Sequence, residues 1–474
     1  MGDSTISPKD FGASFQTFMQ QMSRESAAEE PFFRRRLREH FGTDPSKFSI
    51  VGDKFSEANH PNVHLAMESY LSDRGRSYEL LGISSDRAGF MGIELGHLVS
   101  GTGAMTPGGG TDEGPVAYTN VALDGDRVLA CTQLGLYLIS EGDARLAILV
   151  ARTERGYNDE IKVQVLAPQR EAADACLAAL RMAMRKRNVY RGHVVSLSVN
   201  RSNTLEVRFH HLPRISREQI ILPSGVLERI ERESVSFSKH AHVLHAAGRH
   251  LKRGMLLHGA PGTGKTLTAM YLAGRMPDRT VLLITGRSMG LLEHACAMAR
   301  VLQPATIVLE DVDLIAEERT RQGGGGGCAP LLFELLNQMD GLADDADILF
   351  VLTTNRPDLL EPALAARPGR IDQAVEVPLP DSDCRRRLFE LYSRGLRVSA
   401  AIEPYVDRTA GASASFIREL LRKAALFAAD DRGELEVQAK HFDEALHEMV
   451  VEGGDLMKSL LGASVAATPA NPRV

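Results

Sequence analysis

Gly259-Ala260-Pro261-Gly262-Thr263-Gly264-Lys265-Thr266 fits the pattern G-x-x-x-x-G-K-[ST] at every constrained position. Met255 to His258 before it read as a short strand, and Leu267 to Ala273 after it as a helix. Strand–loop–helix is the setting in which such a loop wraps a polyphosphate. Glycines let successive N–H groups turn inward, and the helix offers its positive N-terminal end to the anion. Lys265 is placed to reach the β- and γ-phosphates, and the Thr266 hydroxyl to bind Mg²⁺. The backbone from Gly259 to Leu267 would cradle the nucleotide.

Working outward, further apolar runs at Val281–Thr285, Thr306–Leu309 and Ile348–Thr353 alternate with helical patterns. This βα alternation predicts a parallel sheet covered on both faces, with ligands bound beyond the carboxyl ends of its strands. Chemistry-bearing residues collect at those ends. Glu310-Asp311 follows the third run, about 45 residues after Lys265. A hydrolytic phosphate site needs one carboxylate to hold Mg²⁺ and another to orient the attacking water. Neighbours on a strand face opposite sides, so the pair is expected to diverge. Asn355 ends the fourth run. It could hold the attacking water through a neutral hydrogen bond, or simply form a turn before Arg356-Pro357. In Arg367-Pro-Gly-Arg370, an arginine suits the charge of a phosphoryl-transfer transition state and can be supplied by a neighbouring molecule. The alternative is an exposed turn.

Taken together, Lys252 to Thr266, Ile307 to Arg319, Thr353 to Leu364 and Arg367 to Asp372 resemble an AAA+ ATPase. The resemblance is to the AAA branch that holds proteasomal, membrane-protease and Cdc48-type motors, and it covers about residues 221–450. It implies an α/β fold: a P-loop NTPase core with a parallel sheet and a small helical lid, here preceded by an α+β N-terminal domain. It also implies ATP and Mg²⁺ as cofactors, with Glu310 and Thr266 at the metal and Asp311 as the water-orienting carboxylate. Asn355 would be the first sensor, and Arg367 and Arg370 arginine fingers acting on a neighbour's ATP. The Gly411–Ser415 stretch falls where a second sensor contacts nucleotide. Sites completed in trans imply a homo-oligomeric ring, usually a hexamer. The chain departs from the family in placing Glu310 before Asp311, where the family has Asp then Glu. Between Gly286 and Pro304 it is short and lacks an aromatic pore loop, Met289-Gly-Leu291 being the nearest equivalent. The glycine run Gly323–Gly327 lies where a second pore loop would be, and Ala363–Arg367 carries one extra residue.

The 474-residue chain is 43% hydrophobic and 24% charged, with net charge −6. That is ordinary for a soluble globular protein and argues against a nucleic-acid or membrane-surface binder. No apolar run is long enough to span a bilayer, and the first residues lack a signal-peptide pattern. Five scattered cysteines without a C-x-x-C pair read as free thiols in a cytoplasmic protein. The histidines His240, His242, His245 and His250 lack a Cys or carboxylate at zinc-ligand spacing, and read instead as a hinge near the nucleotide base.

Five segments are expected: 1–42, helical; 43–220, an α+β substrate or partner domain; 221–382, the large nucleotide-binding subdomain; 383–452, the helical lid; 453–474, a flexible tail. In the first, Phe11, Phe15, Phe18, Met19 and Met22 form an apolar stripe, and Arg34-Arg35-Arg36 with Arg38 a charged helix face. In the second, Ser100–Gly114 reads as an exposed loop. Strands follow at Val116–Leu123, Val128–Ile139, Ala147–Arg152 and Ile161–Leu166, then a helix at Arg170–Arg187 and strands near His193–Val199 and Leu205–Phe209. The expected function is an ATP-hydrolysing ring that remodels or unfolds a protein client chosen by the N-terminal domain. The alternatives are a nucleotide-gated assembly scaffold with little turnover and a nucleic-acid-handling ATPase.

Overall fold

The computed structural model describes residues 11–12, 14–18, 30–73, 75–85, 92–100, 111–153, 160–200, 205–313, 329–343, 345–358, 360, 370–432 and 436–452. Met19, Met22, Gly323–Gly327, Cys328, Ala363–Arg367, most of the Ser100–Gly114 stretch and the tail from 453 lie outside them. The chain forms two compact units, residues 1–189 with 198–207, and residues 190–197 with 208–474.

The first unit is built on antiparallel strands β1 (Ser49–Ser56), β2 (Arg76–Ser85), β3 (Thr111–Gly114), β4 (Ala117–Ala122), β5 (Val128–Glu141), β6 (Ala144–Thr153) and β7 (Glu160–Ala167). Their order is β1-β7-β6-β5-β2-β3, with β4 also paired to β5. Alternation along β6 shows why the sheet is covered on both sides. Ile148 and Val150 pack with Val63, Met67 and Leu177 from the helices His60–Leu71 and Arg170–Lys186. Ala147, Leu149 and Ala151 join Phe33, Leu37 and Leu95 from the helices Phe32–Phe41 and Leu95–Ser100. Two arginines of Phe32–Phe41 are paired within the unit: Arg36 donates to Glu79 at 2.5 and 2.7 Å, and Arg38 pairs with Glu30. Farther along, Arg181 donates to both oxygens of Asp53 at 2.6 Å. Phe11, Phe15 and Phe18 are exposed.

A second sheet is formed by β8 (Val194–Val199), β9 (Leu205–His210), β10 (Arg253–His258), β11 (Thr280–Ile284), β12 (Ala305–Leu309), β13 (Ile348–Thr354) and β14 (Gln373–Glu376). Its order is β14-β10-β13-β12-β11-β8-β9. From β14 to β8 every described pairing is parallel. β8 was expected with the preceding α+β segment, but Val194–Ser196 pair with Val281–Leu283 of β11. All five residues of β12 and all seven of β13 are buried, as central parallel strands require. A second core unites the helices Ser382–Tyr392, Glu403–Arg408, Ala414–Arg432 and Ala439–His447 around Phe389, Phe416, Leu420 and Phe442. Among the described residues no helix is long and apolar enough to cross a membrane, and no cluster of metal-ligating side chains occurs.

Candidate nucleotide site

The carboxyl ends of β10, β12 and β13 converge, and the residues singled out from the sequence assemble around them. The loop after β10 is shaped by glycines in conformations that other residues rarely adopt. Gly259, Gly262 and Gly264 have φ of 149°, 73° and 103°. Gly264 caps the helix Lys265–Arg275 and accepts from the Thr268 N–H at 2.9 Å, while the Thr263 hydroxyl donates to the Ala260 carbonyl at 3.0 Å. Lys265 is buried and folded onto its own loop, donating to the carbonyls of Gly259 at 3.0 Å and Ala260 at 2.8 Å. Burial lowers its pKa, and the carboxylates of Asp311 and Asp313 oppose that shift. Pro261, Thr266 and Leu267 are exposed at the loop's outer rim.

Glu310 and Asp311 follow the end of β12, so their divergence does not come from strand alternation as the sequence suggested. Asp311 instead turns left-handed, with φ of 49°. Asp and Asn tolerate that region better than other non-glycine residues. Its N–H donates to the Thr353 hydroxyl at 3.1 Å, and its carboxylate accepts from the Asn355 side-chain amide at 3.4 Å. Asn355, for which a turn was the alternative, thus meets Asp311 across the strand ends. Glu310 is half-buried. Burial and then the charge of Asp311 push its pKa up, and a hydrogen bond with the Thr266 side chain pulls it down. Its other carboxylate oxygen, Oε1, is buried without a hydrogen-bond partner. An orphaned hard oxygen beside a threonine hydroxyl at the mouth of a phosphate loop fits Mg²⁺, which takes oxygen ligands and few protein groups.

Two parts of the site escaped the sequence reading. Asp313, buried, accepts from the Thr354 hydroxyl at 2.9 Å and from the Asn355 N–H at 3.1 Å, which fixes the end of β13. Removing that acceptor leaves two donors unsatisfied, each at a cost of about 1–3 kcal/mol. Asp313→Ala is accordingly expected to lower unfolding stability by about 2 kcal/mol or more, read as a fall in the urea midpoint. The second part is a cavity of about 140 Å³ beside the loop, lined by Gln219–Leu222, Gly262–Gly264, Leu388, Tyr392, Ser415 and Arg418, among others. Here the Ser415 N–H donates to the Gly262 carbonyl at 3.1 Å, tying the small helical core to the phosphate loop. Of the Gly411–Ser415 stretch, Ala414 and Ser415 line this cavity. The histidines His240, His242, His245 and His250 do not line the cavity. Arg370 sits elsewhere, forming a bidentate pair with Asp340 near Gly254, where β10 begins. Arg367 is outside the described residues.

Residues 255–379 match the family described as ATPase family associated with various cellular activities (AAA). The chain is 29% identical to the ATP-dependent zinc metalloprotease FtsH of Mesoplasma florum over 281 residues, covering 56% of this chain and 41% of that protein. It is 33% identical to proteasome-activating nucleotidase 2 of Halobacterium salinarum over 221 residues, 44% of this chain and 53% of that protein. With the 26S proteasome regulatory subunit 8 homolog of Schizosaccharomyces pombe it shares 30% identity over 228 residues, 45% of this chain and 56% of the relative. The chain thus spans about half the length of these curated relatives. Phosphate loop, paired carboxylates and strand-end asparagine coincide with the family match on one sheet: residues 255–379 are an AAA domain, resembling those of proteasomal and membrane-protease ATPases.

Proposed function

We propose that this protein hydrolyses ATP as a homo-oligomeric ring, a hexamer in the cytoplasm, and remodels a protein client chosen by its N-terminal unit. The observation that carries the catalytic reading is the buried, unpartnered Glu310 oxygen beside Thr266, with Asp311 and Asn355 joined across the adjacent strand end. The loop from Gly259 to Leu267 would bind the phosphates, with Lys265 swinging from its loop carbonyls to the β- and γ-oxygens. Glu310 and Thr266 would hold Mg²⁺, which neutralises phosphate charge when bound. Asp311 accepts the proton of the attacking water, and Asn355 keeps that carboxylate and the water aligned.

The position of Arg370 supports assembly. β10 is six residues long, roughly 20 Å end to end, with Arg370 near its start and the phosphate loop at its finish. An arginine there is too far to serve its own phosphates, so its finger role needs a neighbour. Asp340 would hold it until subunits meet. Two of the relatives are named for the proteasome and one for a metalloprotease, which makes a protein substrate the favoured class over nucleic acid. Steady-state Mg·ATP hydrolysis by the full chain, with Lys265→Ala as blank, is expected to rise per subunit with protein concentration. Adding Arg370→Ala subunits is expected to depress wild-type turnover. Concentration-independent turnover, unaffected by Arg370→Ala, would refute the shared-site ring; turnover equal to the blank would refute hydrolysis.

A further inference from the structure

The first unit carries a cleft of about 460 Å³ that the nucleotide chemistry does not use. Its volume is within the range of small-ligand sites, roughly 300–1,000 Å³. It lies where β5 changes partners, from β4 along Val128–Leu134 to β2 along Leu136–Glu141. The register shifts at Ala117/Tyr118, and histidines from the helix His60–Leu71 satisfy the backbone there. His60 Nε2 lies 2.8 Å from the Thr132 carbonyl, and the Thr132 N–H donates to His64 Nδ1 at 3.4 Å. With Nδ1 accepting, the His64 proton sits on Nε2, 3.4 Å from Glu68 Oε1. Burial lowers the imidazole's pKa, and the neighbouring Glu68 opposes that shift.

Among the described residues that line the cleft, Glu68 is the only carboxylic side chain, and none is a Lys or Arg. Around it stand Tyr78, Tyr118 and Tyr137. The first two are 53% exposed, and Tyr78 and Tyr137 have ring centroids 6.2 Å apart. Met67, Leu71 and Leu80 add an apolar lining. Aromatic faces attract cations through their quadrupoles, a carboxylate adds charge, and an apolar wall accepts an aliphatic stem. We propose that this cleft binds an alkylammonium group, primary or methylated, through Glu68 and the three tyrosines. Two sources share that chemistry, a free aliphatic amine and a lysine side chain of a polypeptide.

The test is binding of n-butylammonium to the full chain, followed by ligand-observed NMR, with butan-1-ol as the neutral counterpart. Saturable binding is expected, weakened about tenfold by Glu68→Gln and several-fold by Tyr118→Ala. Glu171→Gln, an exposed charge on another helix, is expected to leave it unchanged. Thermal midpoints of the variants confirm that each remains folded; the Glu68 side chain is 60% exposed, so its replacement leaves the core intact. Unsaturable binding by the wild type, equal affinity for butan-1-ol, or an unchanged affinity in Glu68→Gln would each overturn the proposal. A glycine-flanked lysine peptide that binds tighter than butylammonium assigns the cleft to polypeptides, and the reverse order assigns it to free amines.

Discussion

Asp311→Asn is expected to bind Mg·ATP with nearly unchanged affinity and to hydrolyse it about a hundred to ten thousand times more slowly. The substitution is close to a single-variable change here. Asn keeps the shape of Asp and tolerates the left-handed backbone, so φ of 49° costs little more than before. Its side-chain oxygen can still accept from Asn355, and its N–H still reaches the Thr353 hydroxyl. What disappears is the charge that would take a proton from water. Ala at the same position would mix that loss with backbone strain and an unpaired Asn355, and is the poorer probe. The carboxylate order makes the comparison with Glu310→Gln decisive. Glu310 stands next to Thr266 and carries the orphaned oxygen, so its neutral variant is expected to weaken the magnesium dependence of binding. Single-turnover hydrolysis beside equilibrium nucleotide binding separates the two. Normal turnover in Asp311→Asn with loss in Glu310→Gln would exchange their roles.

Fully buried strands were the most legible elements. β12 and β13 read directly from Thr306–Leu309 and Ile348–Thr353 because strands covered on both faces need uninterrupted apolar runs. β1 was not legible for the opposite reason. Its residues alternate between half-buried and exposed, and Gly52-Asp53-Lys54 interrupts any apolar pattern. Asp53 and Lys54 are accommodated by Arg181 and Glu160, partners far along the chain. β8 was legible as a strand but not as a member of the parallel sheet, since pairing with Val281–Leu283 is a contact across some 90 residues that no local pattern encodes. The site divides the same way. Phosphate loop, Glu310, Asp311 and Asn355 carry motif spacing. Asp313 looks like any carboxylate after a strand, and its task appears only when β12 and β13 lie side by side. The Asp340 partner of Arg370 likewise depends on the tertiary fold.

The three phosphate-loop glycines predict a graded series, because each is required for a different reason. At Gly259 an added Cβ would lie 2.3 Å from the Val377 carbonyl oxygen. That oxygen is backbone, held where the Val377 N–H donates to His258 at 2.7 Å, and it cannot swing aside. Strain at an unfavourable φ and overpacking against an immobile atom each cost about 1–3 kcal/mol, so Gly259→Ala is expected to destabilise by about 3 kcal/mol or more. At Gly262 the added Cβ would meet the hydroxyls of Ser413 and Ser415 at 2.8 Å. Side chains can rotate, but the Ser415 N–H bond to the Gly262 carbonyl is then stretched, and with it the junction between loop and small helical core. Gly262→Ala is expected to lose nucleotide affinity more than stability. At Gly264 nothing lies within 4 Å of the added atom, leaving only the left-handed φ of 103°, worth about 1–2 kcal/mol. Urea midpoints and nucleotide affinities for the three variants check the order. Equal destabilisation by Gly259→Ala and Gly264→Ala would mean that backbone strain alone governs the loop. A clear excess at Gly259 would mean that the phosphate loop is held in shape by the edge of its own sheet, through Val377, before any nucleotide arrives.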